Sequence, residues 1–427
     1  MNIGIQTWGS EGDVRPFIAL ANGLVKAGNS VTLVISTDKP RNFKELANKY
    51  GFDVKLLIPS DGNDQIESEV WHKIIWANNP VKQAEMILKY GFDPVVDDMY
   101  TASKELCRNN DLVIGHFFVY PLQIAAELAG IPMVTLNIVY NCQPSKYICP
   151  PGFPDLGKWS YKIGWSLVAY MLNKIFLPRI NSLRAKEGLN LHKNVMLQTW
   201  ASDRLNLIAV SSNICQLPSD WPSNNYVCGF LNTPTDSAIE EIPESLNEFI
   251  ERGSAPIYAT FGSMMTPFSN KHITDTLTIW MSAIKKLNCR GILQVPTSDF
   301  NNFTNDPDFI IITRSPYLSV FPKCKAVIHH GGAGTTQSAL MSGIPSIIVA
   351  HMVDQYFWGS ELERLGVAAK TIKRASLTKD NLADSISMLL TSDKYKKNAE
   401  ELGQKLKTEN GVENAVNKIK EIFNSVL

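Results

Sequence analysis

The stretch VIHHGGAGTTQSALMSGIP, from Val327 to Pro345, sets an apolar run ahead of two histidines, three glycines within four residues and two threonines. An apolar run that breaks into glycine reads as a strand entering a tight turn, and the residues after it read as the start of a helix. The first amides of a helix lack partners and carry partial positive charge, and glycine lets backbone approach a ligand closely. Gly331, Gly332 and Gly334, followed by Thr335 and Thr336, therefore predict a phosphate-type anion site. Plain turn geometry is the alternative. Hydroxyls directly after the turn, and His330 inside it, favour the anion, while His329 is expected to pack at the strand end.

The ligand class narrows by spacing. A P-loop needs a lysine after its glycines, and none follows here. A dinucleotide fingerprint needs GxGxxG with an acid about 20 residues on. Gly332 and Gly334 supply its first two glycines and Asp354 the acid, but Gln337 holds the third glycine's place, so a dehydrogenase is the weaker reading. In GSEGDV the glycines are three apart, not two.

Elements must present these groups. With 427 residues the chain is too long for one ordinary core and suggests two domains. Hydrophobic residues at 44% and charged residues at 19% describe a packed globular protein. Lys+Arg and Asp+Glu both count 41, which speaks against nucleic acid as a partner. Seven widely spaced cysteines without a CxxC pair indicate neither a disulfide framework nor a structural zinc, and fit a reducing, cytoplasmic setting. The opening NIGIQT reads as a strand rather than a secretory signal.

IGIQT, the turn WGSEGD, a helix with Pro16 in its first turn, and the strand SVTLVIS form a β-turn-α-β unit, the start of a doubly wound α/β sheet. DLVIGHF, PLQIAAELAG and IPMVTLN repeat it, and LNLIAVS is a further strand. Residues 231–242 are polar and aperiodic and read as a linker. Beyond them APIYATFGSM, GILQVP, FIIIT, AVIHH and SIIVA restart the alternation, and NAVNKIKEIFNSVL is an amphipathic helix.

At these residues a family resemblance emerges. HHGGAGTTQSALMSGIPSIIVAHMVDQYFWG resembles the donor-binding signature of GT-B glycosyltransferases, within the UDP-glycosyltransferase superfamily. It is most similar to the branch of sterol glucosyltransferases and antibiotic aglycone glycosyltransferases. GSEGDVRPFIALANGLVKAGNSVTLV resembles that branch's N-terminal signature, and TFGSM its C-domain phosphate turn. The resemblance implies an α/β, GT-B architecture of two Rossmann-like doubly wound domains facing across a cleft. Residues 1–230 would bind the acceptor, 243–405 the nucleotide sugar, and 406–427 would form a helix packing back on the first domain.

The resemblance also implies inversion at the anomeric carbon and roles for single residues. His330 matches the histidine on the donor diphosphate; Gly332, Ala333, Gly334 and Thr335 match the segment at the α-phosphate; Gly262 and Ser263 match the other phosphate turn. Asp354 and Gln355 match the pair on the sugar hydroxyls, and Asp13 matches the general base, with Ser10 and Gly12 in its loop. Capping of the helix that begins near Val14 is the structural alternative for Asp13. Fixed donors aimed at the departing diphosphate would need no metal and no cofactor beyond the UDP-sugar co-substrate, with a TDP-sugar as the other donor. No DxD-like motif lies near the turns.

The sequence departs from plant relatives at the ribose, where Ser338 stands in place of glutamate. The base-stacking tryptophan is also missing, so groups near Ser315 and Tyr317 are expected to meet the base. Arg15 replaces a common glutamine or glutamate.

The acceptor is expected to be small and apolar, a sterol, polyketide or flavonoid. KWSYKIGWSLVAYMLNKIFLP concentrates Trp159, Tyr161, Trp165, Tyr170, Met171 and Phe176, and Trp165 and Met171 with His116 are the expected acceptor contacts. The same stretch, interrupted by Lys162 and Lys174, is too short for the roughly 20 residues of a membrane span. It would line a pocket, lie on a membrane surface or form a buried helix, with at most peripheral membrane contact; Trp358 is expected in the core. A nucleotide-sugar epimerase of the same fold and a non-catalytic nucleotide-sugar sensor are the competing functions, and no signal for an oligomeric state is present.

Overall fold

The computed structural model describes residues 1–37, 43–58, 70, 73–74, 76, 79–150, 153, 155–233, 240–266 and 268–423. The chain forms two units. Met1–Gly62, Asn79–Asp236 and Glu409–Leu427 make the first; Asn63–Asn78 and Ser237–Thr408 make the second. The second unit thus takes in a segment from within residues 1–230. Of the expected linker, residues 234–239 lie outside the described residues.

In the first unit β1 (Asn2–Trp8), β2 (Ser30–Ser36), β3 (Asp53–Leu57), β4 (Leu112–His116), β5 (Met133–Asn137), β6 (Leu205–Ile208) and β7 (Asn225–Val227) form one parallel sheet in the order β3-β2-β1-β4-β5-β6-β7. Every residue of β4 is buried, as expected of a parallel strand covered on both faces. One face packs on α1 (Glu11–Lys26) through Phe17, Ile18, Leu20 and Leu24, and on the helix Gly411–Phe423 through Ala415, Val416, Ile419 and Phe423. The other face packs on α2 (Val96–Asn109) and on the long α3 (Lys158–Lys186).

Helix α1 and the closing helix meet at Gly23. A Cβ there would overlap Val412 Cγ1 and stand 3.2 Å from Val416 Cγ2, so the contact requires glycine. The last four residues of the expected closing segment, 424–427, lie outside the described residues. Helix α1 begins at Glu11, not near Val14, and Pro16 falls inside it rather than in its first turn.

In the second unit β8 (Ile257–Thr260), β9 (Gly291–Gln294), β10 (Phe309–Ile312), β11 (Ala326–His329), β12 (Ser346–Ala350) and β13 (Ile372–Lys373) run parallel in the order β10-β9-β8-β11-β12-β13. Helices α4 (Asn270–Lys286), α5 (Ala333–Met341) and α6 (Val353–Arg364) belong to this unit. Both sheets reverse their strand order at the first and fourth strands in sequence. Open α/β sheets bind ligands at the carboxyl ends of the strands at such a switch point. The rule directs attention to the ends of β1 and β4 in one unit and of β8 and β11 in the other. Among the described residues no helix is long and apolar enough to cross a membrane.

Candidate functional site

At the switch point of the second unit two glycine turns converge. Gly262, at φ +53°, turns the chain out of β8, and its amide donates to Thr260 Oγ1 at 2.9 Å. A Cβ on Gly262 would lie 3.4 Å from His330 Cε1 and 4.0 Å from Thr335 Oγ1, so Gly262, His330 and Thr335 surround one small volume. Ser263 follows in an exposed turn of 3-10 helix. Gly331, at φ +87°, adopts the left-handed conformation after β11, and Gly332 caps α5. The helix opens at Ala333, ahead of the threonines, and Gly334 faces open space. Thr336 is fully buried, so of the two hydroxyls Thr335 is the one near the turn.

His330 is the polar centre of this arrangement. The residue is 7% exposed and its Nδ1 has no hydrogen-bond partner among the described residues. Burial pushes its pKa down to about 4, so the ring is neutral near pH 7. Such an unpaired buried nitrogen calls for a ligand or water. His329, fully buried, accepts the Gly331 amide on Nδ1 at 3.2 Å and fixes the turn, in keeping with a structural role.

Two expected donor contacts serve the scaffold as well. Gln355, 3% exposed, accepts the amides of His351 at 2.6 Å and Met352 at 3.1 Å on Oε1. Its carbonyl oxygen therefore holds the start of α6, and its amide hydrogens take no part in that contact. Asp354 is half-buried in the first turn of the same helix. The Tyr317 hydroxyl donates to Gln294 Oε1 at 2.8 Å and lies 3.5 Å from Thr260 Oγ1, the acceptor of the Gly262 amide. Tyr317 thus braces the Gly262 turn, and its ring stacks on Phe321 at 4.6 Å. Trp358 is buried, as expected.

In the first unit β1 runs through Gly9, at φ +125°, into Ser10 and α1. Asp13 occupies the third helical position. Its Oδ2 accepts from the Ser10 amide at 2.7 Å and the Ser10 hydroxyl at 2.8 Å. Asp13 thus closes the capping box at the head of α1 through Oδ2, the structural alternative expected for it. Burial raises the Asp13 pKa, opposed by the bonds from Ser10, which makes the carboxylate a better proton acceptor. A Cβ on Gly9 would stand 2.5 Å from Asp13 Oδ2, so this glycine is what lets the carboxylate fold over the loop. Gly12 is exposed and meets only Ser10 Oγ, at 3.7 Å. Arg15 pairs with Glu11 one turn back, an exposed helix-surface ion pair.

His116 ends β4, 4% exposed, its pKa pushed down by burial to about 3. Its Nδ1 accepts the Phe118 amide at 3.2 Å, and its Nε2 has no partner among the described residues. Phe17, one turn along α1 from Asp13, packs 5.7 Å from the His116 ring. Thr7, Ser36 and Asn137, at the carboxyl ends of β1, β2 and β5, also carry buried side-chain polar atoms without partners. Trp165 is 4% exposed, with its indole N–H donating to the Ile148 carbonyl at 2.8 Å, so it is part of the core; Met171 is half-buried.

Four residues were given no role by sequence reasoning. Gly9 and Thr260 carried a local signal, since each sits where a strand enters its turn. His351, whose ring lies 6.4 Å from His330 and whose Nδ1–H donates to the Val349 carbonyl at 2.9 Å, carries no local signal. Nor does Arg374, a buried guanidinium 5.5 Å from the Phe261 ring and 5.6 Å from Phe268, bonded to Thr276 Oγ1 at 2.7 Å.

Comparison with known proteins agrees with this geometry. Residues 279–422 match the family model of the erythromycin biosynthesis protein CIII-like C-terminal domain. A sterol 3-beta-glucosyltransferase of Arabidopsis thaliana is 28% identical over 97% of the chain, which spans 64% of that relative's own length. An O-mycaminosyltylonolide 6-deoxyallosyltransferase of Streptomyces fradiae is 24% identical, covering 97% of this chain and 96% of its own. Among solved structures, glycosyltransferase VinC in complex with dTDP superposes with a TM-score of 0.65 at 18% identity, over 99% of both chains. Two parallel α/β units of this strand order give the chain the GT-B fold, and along nearly its whole length it is similar to sterol and antibiotic aglycone glycosyltransferases of the UDP-glycosyltransferase superfamily.

Proposed function

We propose that the protein is a glycosyltransferase that moves a hexose, glucose in the first place, from a UDP-sugar to a hydroxyl of an apolar acceptor of the sterol or macrolide class, with inversion. The observation that carries the reading is the buried, unpartnered Nδ1 of His330 between the Gly262 turn and the amino end of α5. A diphosphate would take its place beside Thr335, with backbone amides as donors. Asp354 and the amide hydrogens of Gln355 would hold the sugar hydroxyls. TDP is the second donor reading, favoured by the dTDP complex of VinC.

In the proposed step the acceptor oxygen forms a bond to the anomeric carbon as the bond from that carbon to the diphosphate oxygen breaks. Asp13 Oδ1 takes the acceptor proton, and the diphosphate leaves with the bonding electrons. A positioned base is worth about 10²–10⁴ in rate. The leaving charge is met by fixed amide and hydroxyl donors, which stabilise the transition state more than the ground state. His116 Nε2, with Thr7 beside β4, is proposed to receive the acceptor's polar end.

Incubation with UDP-glucose or TDP-glucose and a panel of sterols and macrolides tests the reading. A product heavier by one hexose, with UDP or TDP released in equal amount and undiminished by a chelator, is expected. Interconversion of the sugar without acceptor would instead identify an epimerase, and binding without turnover a sensor.

A further inference from the structure

Helix α3 is apolar on two sides. Tyr161, Trp165, Ile175 and Phe176 are buried in the first unit. On the outward side Trp159 is 70% exposed, Ile163 64%, Leu167 47% and Tyr170 66%. At about 100° per residue these four fall within one narrow stripe, and Trp159 to Tyr170 spans about 16 Å of helix. Leu156, just before the helix, is 59% exposed and continues the stripe. The sequence stretch is therefore not a buried helix in its first half. Contiguous exposed apolar surface marks an interaction site.

Charge selects the partner. Lys158 and Lys162 flank the stripe and Lys174 closes its far end, all exposed and none in an ion pair among the described residues. The nearest acid in sequence, Asp155, is occupied by the Tyr161 hydroxyl at 2.5 Å and the Gly157 amide at 3.1 Å. Lys158 also lies over the Tyr147 ring, 4.7 Å from its centroid. Tryptophan and tyrosine with aliphatic side chains on an outward face, flanked by lysines that enter no ion pair among the described residues, is the pattern of a helix lying in a membrane interface.

We propose that the outer face of α3 docks on an anionic lipid surface, with Trp159, Ile163 and Tyr170 entering the headgroup boundary and Lys158 and Lys162 meeting lipid phosphates or carboxylates. The proposal stands apart from the transferase reading. It would give such an enzyme access to acceptors dissolved in a bilayer.

Sedimentation of the full chain with vesicles tests it, using equal parts phosphatidylcholine and phosphatidylserine against phosphatidylcholine alone. Binding to the mixed vesicles that weakens with salt is expected. Lys158→Glu with Lys162→Glu should weaken it about fivefold or more per lysine. Trp159→Ser with Ile163→Ser should weaken it comparably while the unfolding midpoint stays unchanged, because both side chains are exposed. Leu197→Ser, at an exposed leucine off this helix, should bind as the parent does. Absence of binding by the parent chain, or equal binding by both double variants, overturns the proposal. So does a concentration-dependent dimer that Trp159→Ser with Ile163→Ser abolishes in a parent chain that ignores vesicles, since a second copy would then cover the stripe.

Discussion

Gly332 and His330 compete for the same space: a Cβ at position 332 would overlap His330 Nε2. The cap of α5 and the buried His330 ring can be adjacent only because residue 332 has no side chain. Gly332→Ala should displace the imidazole, cost about 1–3 kcal/mol of stability, and weaken nucleotide binding. Gly334→Val is the informative companion. A Cβ at 334 meets nothing within 4 Å, so stability should hold while close approach of a phosphate is blocked. Thermal unfolding and calorimetric titration of UDP separate the two.

Asp13→Asn should retain the bond from the Ser10 amide and remove the base. Turnover should fall about 10²–10⁴-fold, with donor affinity unchanged and stability altered by no more than about 1 kcal/mol. Steady-state rates beside UDP titrations read both. Loss of donor affinity in step with turnover would remove Asp13 from proton transfer.

Acid should destabilise the protein through its histidines. Burial holds His116 and His329 at about 3, His330 at about 4 and His351 well below its ordinary value. In each case the unfolded chain binds the proton more readily, so stability is full above about pH 6.5 and is lost as pH falls toward 4. Each neutral histidine contributes a slope of about 1.4 kcal/mol per pH unit in that window. Denaturant titrations at stepped pH should show His330→Asn with a slope shallower by one proton. A bound diphosphate favours protonated His330, so UDP binding at pH 5 should take up protons and tighten relative to pH 8.

Gly23 controls the docking of the closing helix. Gly23→Val should drive α1 from Val412 and Val416 and lower stability by about 1–3 kcal/mol or more, measured in denaturant. Because Ala415 and Ile419 share the core with Phe17 and Leu20, protease sensitivity of the chain's last helix should rise with it.

Strand runs such as DLVIGH and SIIVA were legible because parallel strands buried on both faces read as unbroken apolar segments. The glycine turn between β11 and α5 was legible because glycine after a strand and threonine after glycine are local signals. Gln355 was half legible: its place after SIIVA marks it for a ligand, yet its carbonyl oxygen is spent on the start of α6, a geometry no spacing announces. Arg374 was illegible, because its meaning comes from Phe261 and Phe268, more than a hundred residues earlier. The outward face of α3 stayed open between alternatives for a related reason. Its residue types suit either a core or an exposed interface, and only the partners of Trp165 and the exposure of Trp159 tell them apart.

Thermal unfolding of the full chain with saturating UDP, TDP or NAD tests the central claim most directly. A ligand at about 100 times its Kd stabilises the state it binds by about 2.7 kcal/mol. The account predicts a shift with UDP or TDP that Gly334→Val abolishes, and none with NAD. A shift with NAD alone would contradict it, and would return the turn after β11 to the dinucleotide reading.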